Sequence, residues 1–218
     1  ALVTMDNPPV NAQAQVFHEE GQRVFDQISD LPEIRAVVLT GAGKCFSAGA
    51  DIKGRAGKER PPGEQWAHSR RVRECFHAIV ECRKPVIAAI NGPALGAGLA
   101  LAASCDILVA ADSAVLGLPE INVGLLGGGR HAMRLFGHSR TRRMMLTGYR
   151  VPADELYRLG VVEACVPAAQ LMDKAMEVAL HICDQPPLST RVTKESLKSG
   201  LDSPLSEAVL GDLYRFAV

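Results

Sequence analysis

Short apolar runs alternate along the chain with longer segments whose apolar residues recur at helical spacing. The short runs predict buried strands at residues 1–5, 36–40, 85–90, 106–110 and 114–118. The periodic segments predict helices at about 12–29, 66–84, 99–104, 130–136, 140–146, 153–158 and 168–183, with a final helical region after the proline pair at 186–187. Strands and helices that alternate in this way indicate an α/β fold.

A polar stretch at residues 53–65 separates the second predicted strand from the second helix. It contains three glycines and a proline pair, which is typical of a mobile surface loop. The helix after it carries an apolar stripe at Trp66, Val72, Cys75, Phe76, Ile79 and Val80. A second stripe, at Leu171, Met172, Ala175, Val178, Ala179 and Ile182, predicts a core-facing helix rather than a cofactor surface.

Two glycine-rich segments, at residues 39–51 and 90–98, each follow a predicted buried strand. Glycine and alanine let the backbone turn sharply and leave main-chain N–H groups open to a ligand. Two such turns could aim two N–H donors at one carbonyl oxygen. This arrangement is an oxyanion hole, which stabilises the negative charge that develops on a carbonyl during reaction.

Length and charge restrict the class of protein. A chain of 218 residues suits one domain, and we assign residues 1–218 to it, with a core to about 135 and a helical region from about 136. The 24 basic and 24 acidic residues cancel, so we expect neither nucleic acid nor an acidic membrane surface as a partner. The basic cluster of Arg140, Arg142 and Arg143 is interpreted as a solvated helix face or subunit rim; a site for the phosphates of a bulky ligand is the alternative.

The six cysteines include no Cys-x-x-Cys pair, which indicates reduced thiols and a cytoplasmic protein. No apolar run reaches the roughly 18 residues of a membrane span. The chain opens inside a predicted strand, so an earlier targeting segment stays open as an alternative.

Several familiar motifs fail on inspection. A P-loop ending at Lys44 would need glycine at 38 and Ser or Thr at 45, where the chain has Val38 and Cys45. Ser47 lacks the glycine at 45 that a nucleophile elbow needs. The glycines at 127–129 lack the strand and the downstream acid of a dinucleotide site, and a helix N-terminus explains them better. The histidines show no metal-ligand spacing, so we predict no metal site.

Glu120 is the strongest acid/base candidate among the side chains. It follows Pro119 at the end of an apolar strand and stands near the glycine-rich loop at 124–129. Burial there would raise its pKa and make it usable as an acid or base near neutral pH. A surface carboxylate after a proline turn, or a helix-capping partner, is the alternative interpretation.

At this point the chain resembles a known family. The string Leu-Thr-Gly-Ala-Gly-Lys-Cys-Phe-Ser-Ala-Gly-Ala-Asp-Ile at 39–52 is similar to the first signature of the enoyl-CoA hydratase/isomerase (crotonase) family. The segments 84–98, 118–125 and 146–153 resemble its second, third and fourth signatures, and Asn-Pro-Pro-Val-Asn-Ala at 7–12 resembles its opening turn. These segments span essentially the whole chain, and they occur in the same order as the signatures of the family.

The resemblance implies a crotonase-like (ClpP/crotonase) spiral of ββα units, followed by a helical C-terminal region. An acyl-CoA thioester would lie in the cleft, its oxygen held by the backbone N–H groups of Ala50 and Ala97, with Glu120 as the catalytic residue. The residues expected to line the substrate and CoA path are Ala48, Asp51, Ile52, Leu95, Pro119 and Gly128, the last through its N–H. No separate cofactor is implied, since coenzyme A is part of the substrate.

The chain departs from the family at one catalytic position. Family hydratases commonly carry a first glutamate where this chain has Ala100, so Glu120 stands as the single acid. We expect an enoyl-CoA hydratase, with a double-bond isomerase or an aromatic acyl-CoA hydratase/lyase as the alternative. An acyl-CoA thioesterase and a non-catalytic acyl-CoA-binding subunit are further alternatives. The resemblance also implies a homo-oligomer, either a trimer or a dimer of trimers.

Overall fold

The computed structural model describes residues 1–52, 54 and 61–200. Most of the predicted loop at 53–65 and the end of the final helical region lie outside these residues. The strands are β1 Leu2–Met5, β2 Val37–Gly41, β3 Val86–Ile90, β4 Ala94–Leu95, β5 Ile107–Ala111, β6 Val115–Gly117, β7 Arg150–Pro152 and β8 Ala164–Val166. The helices are α1 Gln15–Asp30, α2 Glu64–Glu81, α3 Ala97–Ala102, α4 Gly129–Leu135, α5 His138–Thr147, α6 Ala153–Arg158, α7 Leu171–Cys183 and α8 Pro187–Gly200, with 3₁₀ turns at Pro119–Val123 and Ala168–Gln170.

The main sheet is parallel, with the strand order β1-β2-β3-β5-β8. Its central strands β2 and β3 are buried along their whole length, because helices cover both faces of the sheet. Along β2, Val37 and Leu39 face a core shared with α1, α2 and α3, whereas Val38 faces a smaller core shared with α7. This alternation follows the two-residue period of a strand, and it explains why β2 reads as one continuous apolar run.

A second sheet of three strands holds the candidate site. In it β6 pairs in parallel with β4 and antiparallel with β7. The bridge between Ser47 and Ala94 ties the segment after β2 to β4. The two glycine-rich segments are therefore brought side by side by backbone pairing, although about fifty residues of sequence separate them.

Helix α8 is fixed to the core by an ion pair. The Nζ of Lys194, which is 8% exposed, lies 2.7 Å from Oδ2 of Asp106. The same ammonium donates to the carbonyls of Ile79 and Lys84, and Asp106 also accepts from the N–H of Val86 at 2.7 Å. Because Asp106 and Val86 border the start of the central strands, this contact ties the last helix to the main sheet.

The predicted order of helices and strands agrees with the structure at most positions, with ends shifted by one to three residues. The strands β4, β7 and β8 were not predicted, so the second half is less helical than expected. Trp66 was wrongly placed on the apolar stripe of α2: its side chain is 76% exposed, whereas Phe76 and Ile79 are buried. The stripe on α7 is confirmed as a core face.

The interpretation of the Arg140 cluster as a solvated helix face holds for Arg142 and Arg143, which are exposed, whereas Arg140 is half-buried. Arg140 donates to Oε1 of Glu155 at 2.7 Å, and both side chains are half-buried. The guanidinium of Arg143 stacks on the ring of Tyr149, with 3.7 Å between its carbon and the ring centroid. Two of the three arginines therefore join α5 to the elements after it.

Candidate active site

Gly96 places the carboxylate of Glu120 against the second glycine-rich segment. Its φ of +57° is unfavourable for other residues, and its N–H donates to the carbonyl of Gly117 at 2.9 Å. A Cβ added to Gly96 would lie 2.7 Å from Oε1 of Glu120. The glutamate carboxylate therefore lies directly over the turn that leads into α3, in space that any side chain at position 96 would occupy.

Gly49 places the first glycine-rich segment beside the second. Its φ is +89°, and a Cβ there would lie 2.5 Å from the carbonyl oxygen of Leu95 and 3.0 Å from the nitrogen of Ala97. The N–H of Leu95 donates to the carbonyl of Ser47 at 2.9 Å, which holds the two segments in register. The backbone at 49–50 thus runs next to the backbone at 95–97.

The backbone N–H groups of Ala50 and Ala97 are two donors at this site that have no acceptor among the described residues. Their neighbours are paired: Asp51 donates to the carbonyl of Gln13 at 3.1 Å, and Gly96 donates to Gly117. Within the described part of the chain, neither the Ala50 nor the Ala97 N–H donates to a protein acceptor. Ala50 is exposed and Ala97 is half-buried, so a ligand atom can approach both.

The environment of Glu120 favours its protonated form. The residue lies in the 3₁₀ turn Pro119–Val123, whose end is tied by the N–H of Leu125 donating to the carbonyl of Glu120 at 2.9 Å. Its Oε2 is buried and has no hydrogen-bond partner among the described residues. Burial raises the pKa of the Glu120 carboxyl, and a hydrogen bond from the backbone N–H of Glu120 opposes that shift. These features do not fit a solvated surface carboxylate.

The turn at Gly128 is the third glycine turn that lies close to Glu120 and the two glycine-rich segments. It precedes α4, and a Cβ on it would lie 2.7 Å from Cδ2 of Leu118 and 3.9 Å from the carbonyl oxygen of Gly96. The start of α4 was expected from the glycines at 127–129, and the structure confirms it. The loop after Glu120 therefore returns to the same point as the two glycine-rich segments.

The remaining sequence-predicted residues lie at the border of this cluster. A side chain of Leu95 lies 3.4 Å from a Cβ position built on Gly117, whereas Ala48 and Ile52 are exposed. The carboxylate of Asp51 accepts from the N–H of Gly54 at 2.9 Å, which is a local hydrogen bond within its own turn. Ala100 is buried in the core, 2% exposed, and supplies no second carboxylate.

Sequence reasoning missed a buried polar network that supports the first glycine-rich segment. The amide of Asn11 donates to the carbonyl of Cys45 at 2.7 Å, and the hydroxyl of Ser47 donates to the carbonyl of Asn11 at 2.8 Å. Ser47 Oγ in turn accepts from Nε2 of Gln13 and from the N–H of Gly49. The available signal was the pair of polar residues at 11 and 13, just after the proline turn.

Comparison with known proteins agrees with this geometry. The profile of the enoyl-CoA hydratase/isomerase family matches residues 1–217. The chain belongs to that family. YngF of Bacillus subtilis, whose name places it in the same family, is 38% identical over 212 residues, which cover 94% of this chain and 80% of that protein. Carnitinyl-CoA dehydratase of Escherichia coli strain K12 is 36% identical over 214 residues, covering 94% of this chain and 79% of that enzyme.

Solved structures confirm the predicted crotonase fold. The crystal structure of an enoyl-CoA hydratase from Bacillus anthracis superposes with a TM-score of 0.93 at 33% identity. The alignment covers 99% of this chain and 85% of that one. This family of enzymes acts on acyl-CoA substrates, so the class of substrate is established at that level.

Proposed function

We propose that this member of the family adds water to a 2-enoyl-CoA, with Ala50 and Ala97 as the oxyanion hole and Glu120 as the acid and base. The observation that supports it most is the carboxylate of Glu120. It lies over Gly96, beside Ala97, with one oxygen buried and without a partner in the described chain. A carboxyl held in this state is suited to accept and return a proton.

The oxyanion hole uses backbone donors, so the alanine side chains at 50 and 97 do not matter for it. The thioester oxygen would sit between the two N–H groups that lack a protein acceptor. As charge develops on that oxygen, both hydrogen bonds strengthen. Each donor of this kind is worth about 3 kcal/mol in the transition state.

The proton balance requires only one carboxyl group. Glu120 as carboxylate removes a proton from water while the water oxygen bonds to the β-carbon of the enoyl group. The electron pair of the double bond moves towards the thioester oxygen, which carries the enolate charge. Glu120, now protonated, gives its proton to the α-carbon, and the carboxylate is restored.

The neighbouring residues would bind and orient the substrate. Ala48, Asp51 and Ile52 border the first donor and would contact the coenzyme A portion. Leu95 and Pro119 flank the acyl portion. The N–H of Gly128, beside Gly96, would orient the water or the acyl group.

A double-bond isomerase is the second candidate, and Ala100 is the observation that favours it. An isomerase moves one proton between two carbons and needs no second carboxylate to position water. Addition of a carboxylate at this buried position distinguishes the two, provided that circular dichroism shows the variant folded: Ala100→Glu should raise the turnover of a hydratase and leave that of an isomerase unchanged. Aromatic acyl-CoA hydratase/lyase activity uses the same single acid.

The test is a mass-spectrometric screen of acyl-CoA thioesters in deuterated water. Hydration adds the mass of one water and places deuterium on the α-carbon. Isomerisation exchanges deuterium without adding water, and thioesterase activity releases free coenzyme A. Tight binding with no product across 2-enoyl, 3-enoyl and aromatic acyl-CoAs would instead favour a binding subunit and overturn the proposal.

We also propose that the protein assembles as a trimer or a dimer of trimers. Large apolar side chains are exposed on the helical half, at Met133, Leu146, Tyr157, Leu159, Met176 and Leu180. A single monomeric species by light scattering at micromolar concentration would contradict this. None of the described helices is long and apolar enough to cross a membrane; a cytoplasmic location stays a prediction.

A further inference from the structure

A cavity of about 420 Å³ lies apart from the glycine turns, between α2, α4 and the end of α8. Phe76 and His77 of α2, Ser104 after α3, His131 and Arg134 of α4, and Lys198 of α8 contribute to its walls. A cavity of this volume is large enough for part of a small-molecule ligand. No step of the proposed reaction uses these residues.

Two helices connect the cavity to the candidate active site. The helix α3 begins at Ala97, and the chain reaches Ser104 seven residues later. The helix α4 begins after Gly128, and Arg134 is six residues further on. Seven residues at about 1.5 Å each place Ser104 about 10 Å along α3 from Ala97, a length that an extended acyl chain can span.

The lining of the cavity is strongly basic. Arg130, Arg134 and Lys198 contribute positive charge, and Glu81 is the one carboxylate among the described lining residues. Oε1 of Glu81 lies 3.5 Å from Nζ of Lys198, so the charges of these two side chains offset each other. Within the described chain, Arg134 makes no ion pair. The cavity therefore carries an excess of positive charge at Arg134.

His131 lies next to Arg134 and adds a polar group without adding charge. Its ring packs edge-on against Phe76, with 5.4 Å between the centroids. Burial lowers the pKa of His131, and the nearby Arg134 and His77 lower it further. The neutral imidazole can donate one hydrogen bond to a bound anion.

We infer that this cavity receives the far end of the acyl group and that this end carries a carboxylate. The inference rests on the proposed function, because that function fixes the thioester at the other end of α3. The guanidinium of Arg134 matches a carboxylate in shape and charge and can bind it through two parallel hydrogen bonds. Arg134 is exposed in the free protein, and a plain alkyl end would cover its guanidinium without supplying a partner.

The test compares binding of two saturated thioesters that cannot react: octanedioyl-CoA and octanoyl-CoA. Calorimetry on the wild-type protein should show octanedioyl-CoA binding about tenfold or more tightly, the usual effect of a hydrogen-bonded charge pair. Arg134→Gln should abolish this preference and leave octanoyl-CoA binding unchanged. Arg134→Lys should keep part of it, and Arg142→Gln, on the exposed face of α5, should keep all of it.

Two results would overturn the inference. One is equal affinity of the wild-type protein for both thioesters. The other is an equal loss of affinity for both in Arg134→Gln, which would mean that Arg134 binds a phosphate of coenzyme A. Turnover of 2-octenedioyl-CoA and 2-octenoyl-CoA is measured separately: failure of both would refute the proposed function, while the binding preference still decides this inference.

Discussion

Gly96→Ala tests whether the position of Glu120 over the second glycine turn matters for turnover. The added methyl group would lie 2.7 Å from Oε1 of Glu120, and ordinary contacts begin at 3.4 Å. The carboxylate must therefore move by about 0.7 Å or more. Misplacement of a catalytic group by about 1 Å costs about 100-fold in rate, so we expect kcat to fall by roughly that factor. The φ of +57° with ψ of −121° lies outside the left-handed helical region, so alanine at this position also strains the backbone by more than the about 1–2 kcal/mol typical of that region.

Gly160→Ala is the matched control for this experiment. Gly160 also has a positive φ, of +70°, but a Cβ there meets no atom within 4 Å. Both variants should lose stability in thermal unfolding, Gly96→Ala more than Gly160→Ala, and only Gly96→Ala should lose turnover in an acyl-CoA assay followed by mass spectrometry. A folded Gly96→Ala protein with near wild-type kcat would refute the argument that Glu120 must stay where the structure places it.

Three further predictions concern the donor, the proton and the last helix. Ala97→Pro removes one N–H at the first position of α3, where proline is tolerated, and should lower kcat about 100-fold with unchanged circular dichroism; near-normal turnover would exclude this donor. Because burial raises the pKa of Glu120 above 4.5, the acidic limb of the pH–rate profile should have its midpoint above that value. The stability of the wild type relative to Glu120→Gln should fall as the pH rises from 4.5 through the folded pKa. An acidic limb at or below pH 4.5 would contradict the burial of this carboxyl. Lys194→Met removes the ammonium that pairs with Asp106 and donates to two carbonyls, and it should cost about 2 kcal/mol in urea unfolding, against less than about 1 kcal/mol for Lys198→Met on the same helix; equal losses would show that the Lys194 contact is not the anchor.

The main sheet could be predicted from sequence because its central strands are buried on both faces. Such strands appear as unbroken apolar runs, as in β2 and β3. The strands β4, β7 and β8 contain two or three residues each, and they exist only through pairing with distant segments, as β6 pairs with Val151. A strand of that length is visible in sequence only where a longer apolar run surrounds it, as for β6 within 114–118. Trp66 was misplaced because helical spacing alone does not reveal where a helix lies against its neighbours.

The glycine-rich segments could be located from sequence, but their meeting could not. Their composition predicts exposed N–H groups, whereas the approach of Gly49 to Ala97 depends on the bridge between Ser47 and Ala94. The raised pKa of Glu120 was predicted from its place after an apolar strand, and the structure shows the burial that this requires. The basic cavity beside α4 could not be predicted, since three helices and a turn contribute its walls.

The most direct test of the central claim, that Glu120 carries the proton, is turnover of a 2-enoyl-CoA by Glu120→Gln in deuterated water. Glutamine keeps the size and polarity of the side chain but cannot accept a proton, so hydration and α-carbon deuteration should both fall by 1,000-fold or so while acyl-CoA binding persists. Glu33→Gln, an exposed carboxylate on the surface, should behave as the wild type. A Glu120→Gln protein that still hydrates or deuterates its substrate at a near wild-type rate would contradict the account.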